Sequence, residues 1–176
     1  MSGHVVLIGL SGSGKSAVGR ALAGALGRPF YDTDLLLAAR AGRPVPELLR
    51  SDAVRFRALE EEIVVGACDA PAGVVATGGG VVLSPRNRDA IVRGNRVVWL
   101  RAVTATLADR LQQGEERPLL AGDVAARLTA LLAERAALYA ACATTIVDTD
   151  DLTIEQSVAR VRAALDMDID GVGAWR

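Results

Sequence analysis

Lysine, histidine, cysteine and aromatic residues are all scarce in this chain of 176 residues, which holds one lysine, one histidine, two cysteines and six aromatics. Cys68 and Cys142 lie far apart in sequence, and with His4 alone they cannot assemble a Cys/His zinc site; both read as reduced, mostly buried thiols. No apolar run approaches the roughly 18 residues that a bilayer crossing needs. No basic leader precedes the first apolar run, which speaks against a cleaved signal peptide and for a cytoplasmic location. A basic excess is missing too: the formal net charge is −1, so neither a nucleic acid nor a membrane surface is an expected partner, and anion recognition must be local. Lys15 is the only lysine, and every other cationic side chain is arginine.

What is present is an ordered, apolar chain, 51% hydrophobic and 23% charged, of a length that suits one domain over residues 1–176; a monomer is expected. Short β-branched runs alternate with longer helical patterns, the rhythm of parallel βαβ units. Five strands are predicted, Val5–Gly9, Pro29–Asp32, Val74–Thr77, Arg96–Leu100 and Thr144–Val147, each apolar enough to be buried on both faces. From Lys15 to Leu26, Val18, Leu22, Ala25 and Leu26 recur at helical spacing, and Gly27 supplies a C-cap. Ser84-Pro85 and Thr153 to Gln156 read as helix starts. The stretch from about Asp166 to Arg176 reads as a loose tail. His4 reads as an exposed or edge histidine and Trp99 as core.

Gly9-Leu10-Ser11-Gly12-Ser13-Gly14-Lys15-Ser16 is a complete G-x-x-x-x-G-K-S between a predicted strand and a predicted helix, the context that the motif requires. Its glycines let the backbone wrap a phosphate, the helix N-terminus attracts negative charge, Lys15 reaches the β and γ phosphates, and Ser16 holds magnesium. Residues Gly12, Ser13, Gly14, Lys15, Ser16 and Ala17 are therefore assigned to a nucleoside triphosphate. With no second lysine, the Asn-Lys-x-Asp or Thr-Lys-x-Asp guanine reader of common GTPases cannot be built. The strand segment Thr145-Ile146-Val147-Asp148-Thr149 lacks the Asp-Glu ending of a motor ATPase.

After the second strand, Tyr31-Asp32-Thr33-Asp34 places two carboxylates at the ligand-binding edge of a parallel sheet. Alone the pair would read as a helix cap. Downstream of a phosphate loop, Asp34 becomes a candidate acceptor for a substrate hydroxyl proton and Asp32 a water-mediated magnesium partner. Phe56-Arg57-Ala58-Leu59-Glu60 lies on a predicted helix, and Gly78-Gly79-Gly80 directly after the third strand suggests a close backbone approach to a ligand. The polar, glycine-flanked stretch from Gln112 to Asp123 carries Arg117-Pro118-Leu119-Leu120 and reads as a lid that brings one arginine over the transferring group.

The order of these segments resembles shikimate kinase, a small member of the nucleoside-monophosphate-kinase-like group, from Val5 to about Leu165. The resemblance rests on Gly9–Ser16, Asp32-Thr33-Asp34, Phe56-Arg57 with Glu60, Gly78–Gly80, Arg117–Leu120, and Arg135 ahead of Leu138-Tyr139. It implies a three-layer α/β P-loop fold with a five-stranded parallel sheet, a substrate-binding insertion at about 34–61 and a lid at about 112–123. It also implies ATP-dependent phosphorylation of the 3-hydroxyl of shikimate, with Mg2+ as cofactor. Lys15, Asp34 and Arg117 would be catalytic. Asp34 would also bind the ring hydroxyls, Arg57 and Arg135 the carboxylate, Gly79 the substrate through its backbone N–H, and Gly80 would be a further substrate-binding residue. Arg110 would lie against the adenine and Arg117 would close over the phosphates.

Two departures from the family pattern fall in the insertion. The usual Gly-Glu pair before Phe-Arg is replaced by a stretch one residue shorter, Asp52-Ala53-Val54-Arg55, and Leu49 stands where the family has an aromatic near the substrate, with Pro46 close by. A gluconate-type sugar-acid or cyclitol kinase is the enzymatic alternative, followed by a nucleoside-monophosphate kinase. A non-catalytic nucleotide-binding module is the alternative from another class.

Overall fold

The computed structural model describes residues 3–113 and 124–171, with side chains described to residue 166. Strands β1 (Val5–Ile8), β2 (Phe30–Asp32), β3 (Val74–Ala76), β4 (Arg96–Arg101) and β5 (Thr145–Asp148) form one sheet in the order β2-β3-β1-β4-β5. All four pairings are parallel, with Val5 in register with Val74 on one side and Arg96 on the other. Around it run α1 (Lys15–Leu26), α2 (Thr33–Ala41), α3 (Val45–Ser51), α4 (Ala53–Asp69), α5 (Pro85–Val92), α6 (Thr104–Gln113), α7 (Val124–Cys142) and α8 (Ile154–Gly171). A 3-10 turn covers Val81–Leu83.

The period of two along each strand sorts side chains onto two faces, which makes the fold three-layered. Val5, Leu7, Val98 and Leu100 pack with Val18 and Leu22 of α1 and with Val161 and Leu165 of α8. Val6, Ile8, Val97 and Trp99 face the other way, onto Val64 of α4, Ile91 of α5, Leu107 of α6 and Tyr139 of α7. A third cluster belongs to the insertion alone: Leu37, Leu48 and Phe56 from α2, α3 and α4. Burying one such leucine contributes on the order of 2 kcal/mol.

Helix α1 spans the residues expected of it and ends on Gly27 at φ 61°. Ser84 caps α5 by accepting from Asn87 N–H, with Pro85 in the first turn. Thr153 and Gln156 exchange hydrogen bonds at 3.2 and 2.8 Å, a capping box that starts α8.

Three expectations are corrected. Helix α8 continues to Gly171 where a loose tail was expected from Asp166; once Val161 and Leu165 are buried against the sheet, adding further turns costs little because the nucleus already exists. Strands β2 and β5 are not buried on both faces: they stand at the two sheet edges, where Phe30 and Tyr31 are half-buried and Ile146 is exposed. His4 is buried rather than exposed, its Nδ1 accepting from Gly73 N–H and its Nε2 3.1 Å from the Ala70 carbonyl, so both ring nitrogens are satisfied. Trp99 is core, as expected. Cys68 is half-buried and Cys142 buried, and desolvation pushes both thiols up, Cys68 to about 11.

Candidate active site

The loop between β1 and α1 lies at the C-terminal end of the central strand. Gly9, Gly12 and Gly14 take φ of 140°, 86° and 86°, a left-handed backbone that a side chain would strain, and this wraps the loop tightly over the sheet. Helix α1 has no acidic residue in its first turn and no side-chain cap, so its positive end faces the loop unopposed. Lys15 is buried and turns back over the loop, its Nζ 2.8 Å from the Leu10 carbonyl and 3.5 Å from Ser13 Oγ.

This loop forms one wall of a cleft of about 440 Å³. Residues Gly12 to Ala17 line it, as does Arg110 from α6, so the sequence-assigned nucleotide residues of the described chain meet in one place. Arg110 is held from behind: it donates to Thr149 Oγ1 at 3.2 Å, to the Asp150 carbonyl at 3.1 Å and to the Thr149 carbonyl. Leu152 of the β5–α8 connection and Ile154, the first residue of α8, add apolar surface to the cleft. Asp34, Thr77 and Gly79 line the same cleft.

Asp32 ends β2 and caps α2, its Oδ1 accepting from the N–H groups of Asp34 and Leu35 at 3.1 and 3.2 Å. The helix-cap reading and the functional reading of this pair are therefore compatible, because capping occupies Oδ1 and leaves Oδ2 out of the cap. Thr33 adds a link that the sequence did not disclose: its Oγ1 accepts from Gly78 N–H at 3.2 Å, tying the start of α2 to the glycine turn after β3.

That turn is the meeting point of Asp34, Arg57 and Arg135. The glycines there make room for the protein's own side chains. A Cβ on Gly78 would sit 2.8 Å from Asp34 Oδ1, and one on Gly80 would sit 2.8 Å from Arg57 Nη1. Arg57 reaches the turn from α4, held by Glu60 Oε2 at 2.6 Å. Arg135 reaches it from α7, its Nη1 donating to the Gly79 carbonyl at 3.2 Å, and the hydroxyl of Tyr139 donates to the same oxygen at 2.5 Å. Asp34, Arg57 and Arg135, drawn from three helices, thus converge on three glycines. Arg117 and most of the stretch expected to be a lid lie outside the described residues; Gln112 and Gln113 end α6.

Electrostatics at the turn centre on Glu60, a buried carboxylate. Burial raises its pKa, against the lowering effect of the hydrogen bond and charge of Arg57, and the Asp34 carboxylate adds to the rise while Arg135 opposes it. Two cationic guanidiniums beside a buried carboxylate suit a planar anion gripped in two-pronged fashion. For a metal, no group of three or more His, Cys, Asp or Glu side chains clusters among the described residues. The exposed hydroxyl of Ser16 and the carboxylate of Asp32 are instead the hard oxygen donors suited to a cation held chiefly by phosphates and water. Sequence reasoning gave no role to Tyr139, although it lies four residues beyond Arg135 and so shares its helix face; that spacing was the available signal.

No helix among the described residues is long and apolar enough to cross a membrane. The family model for shikimate kinase matches residues 11–166. A shikimate kinase of Symbiobacterium thermophilum is 46% identical over 166 residues, covering 92% of this chain and 95% of its own length. One of Mycobacterium avium is 49% identical over 153 residues, covering 85% and 86%. The solved shikimate kinase of Acinetobacter baumannii in complex with shikimate superposes with a TM-score of 0.88 at 27% identity over 94% of each chain. On the family match over residues 11–166 and these relatives, the chain belongs to the shikimate kinase family.

Proposed function

We propose that this chain transfers the γ-phosphoryl group of ATP to the 3-hydroxyl of shikimate, giving shikimate 3-phosphate and ADP. The observation that carries the reading is the convergence of Asp34, Arg57 and Arg135 on the Gly78–Gly80 turn, with Asp34 and Gly79 themselves lining the phosphate-loop cleft.

In this reading the triphosphate lies along Gly12–Ala17, with the N–H groups of the loop and the α1 terminus facing its oxygens. Lys15 exchanges its contact with the Leu10 carbonyl for the β and γ phosphates. The adenine rests against Arg110, whose guanidinium is kept in place by its contacts with residues 149 and 150, and Ile154 and Leu152 supply an apolar surface nearby. Arg57 and Arg135 hold the acceptor carboxylate, and the N–H groups of Gly79 and Gly80 orient the ring. These contacts bring the 3-hydroxyl between Asp34 and the γ phosphate. Positioning and charge stabilisation account for most of the catalysis, because phosphoryl transfer passes through a loose transition state that demands little covalent help. Asp34 accepts the hydroxyl proton as the new P–O bond forms and the bond to ADP breaks. Arg117 adds positive charge over the transferring group.

Ser16 and, through water, Asp32 would hold Mg2+, which neutralises charge on the phosphates. The enzyme acts as a cytoplasmic monomer. A sugar-acid kinase reading is not favoured, because the family match and the relatives at 46% and 49% identity all point to shikimate kinase. The direct test measures ADP release from magnesium-ATP with shikimate, gluconate, a nucleoside monophosphate or no acceptor. Release only with shikimate, with a product of matching mass, supports the proposal; release only with another acceptor overturns it.

A further inference from the structure

We infer that Tyr139 is a positioning residue for the acceptor: its hydroxyl, together with Arg135, locks the peptide joining Gly79 to Gly80 so that the Gly80 N–H is turned away from α7 and presented to the acceptor. The inference deepens the kinase reading and rests on it.

Tyr139 is fully buried, and its hydroxyl donates to the Gly79 carbonyl at 2.5 Å. Arg135 Nη1 donates to the same oxygen at 3.2 Å. The chain contains no cis peptide among the described residues. In a trans peptide the C=O and N–H of one unit point in opposite directions, so two donors on α7 that draw the Gly79 oxygen toward themselves turn the Gly80 N–H the other way. The Gly80 N–H has no acceptor among the described residues, and neither does that of Gly79. Two adjacent unpaired donors beside the Arg57 guanidinium form a recognition element for an oxygen-rich ligand.

The tyrosine is itself held. Its ring packs on Trp99 at 5.3 Å between centroids, and Trp99 lies beneath the phosphate loop, with its Cδ1 3.4 Å from where a Gly9 Cβ would be. On its other side Gly79 abuts the loop, since a Cβ there would meet Ser11 N at 3.3 Å. The turn is thus set between the nucleotide loop and Tyr139. Burial pushes the phenol up to about 12, so it remains a donor throughout the range in which a kinase is assayed.

Tyr139→Phe deletes only the hydroxyl. We expect its KM for shikimate to rise about fivefold or more, its KM for ATP to change less than twofold, and the Gly80 amide resonance of the ligand-free protein to shift. The control is Cys142→Ala, a buried change on the same helix that removes packing without touching the turn. At a comparable loss of Tm it should keep both KM values and the Gly80 resonance. An unmoved resonance in Tyr139→Phe overturns the inference, and so does an equal rise in KM for shikimate in Cys142→Ala. Should the wild type not phosphorylate shikimate at all, the kinase reading fails by itself, while the amide resonance still decides whether Tyr139 sets the turn.

Discussion

Gly80→Ala should damage acceptor binding while leaving stability nearly intact. Gly80 has φ −96° and ψ 1°, values open to any residue, so the added methyl brings no backbone strain. What it meets is Arg57: the new Cβ would stand 2.8 Å from Nη1, 3.2 Å from Nη2 and 3.4 Å from Cζ. Restoring ordinary contact with Nη1 requires a retreat from 2.8 to 3.4 Å, or 0.6 Å. The guanidinium is the far end of a flexible side chain and 38% of the Arg57 side chain is exposed, so the retreat costs little folding free energy, less than about 1 kcal/mol. The same displacement is large for recognition. It disturbs the 2.6 Å bond to Glu60 and carries the fork away from the position that a carboxylate would occupy. Hydrogen bonds to charged groups contribute about 1.5–3 kcal/mol, so the KM for shikimate should rise roughly 10- to 150-fold. The assay is a shikimate titration of ADP release at saturating magnesium-ATP, alongside thermal unfolding of the same preparation. A wild-type KM for shikimate in a folded Gly80→Ala protein would refute the placement of Arg57 at the acceptor. A large loss of Tm would show that the turn is structural before it is functional.

The other predictions test neighbouring groups. Gly78→Ala, whose Cβ would lie 2.8 Å from Asp34 Oδ1, should lower kcat more than it raises the KM for shikimate, and the reverse pattern would place Asp34 in binding alone. Asp34→Asn should cut turnover by about 100-fold or more while ATP binding, followed calorimetrically, stays near normal; substantial residual turnover would remove Asp34 from the proton-accepting role. Asp32→Ser should keep the α2 cap and hence the stability to within about 0.5 kcal/mol, yet raise the Mg2+ concentration needed for activity, whereas Asp32→Ala should also lose roughly 1 kcal/mol of stability. Unchanged magnesium dependence in both would confine Asp32 to capping. Glu60 binds its proton more readily in the folded protein than in the unfolded chain, so its contribution to stability is complete below the ordinary glutamate value of 4.5 and is lost as pH rises through the raised folded value. Glu60→Gln cannot titrate, so it should gain stability relative to wild type as pH is raised above 4.5; a Tm difference that does not vary with pH would contradict the assignment.

The phosphate loop, the five parallel strands, α1 with its glycine cap, and the starts of α5 and α8 were legible because each is written in neighbouring residues. Strands show as apolar β-branched runs, helices as a 3.6-residue period, and caps as one side chain beside one N–H. Even Asp32 was readable both as cap and as ligand, and the structure accommodates both because one carboxylate has two oxygens.

Other features depended on partners distant in the chain. Which strands lie at the edges follows from the order β2-β3-β1-β4-β5, and composition alone made β5 look like a central strand. His4 is buried because Gly73 and Ala70 satisfy its ring across some 70 residues of sequence. Arg57, Gly79 and Arg135 belong to separate elements, and isolated arginines on helices carry no mark of what they will face. Their convergence, and the role of Tyr139 behind it, arise only when α4 and α7 pack on the same face of the sheet and direct their side chains at one turn. The sequence by itself determined the local conformations and the nucleotide chemistry, because these need only short-range spacing; the tertiary structure decided which side chains meet at the glycine turn, because that geometry is a sum of contacts between elements that no local pattern encodes.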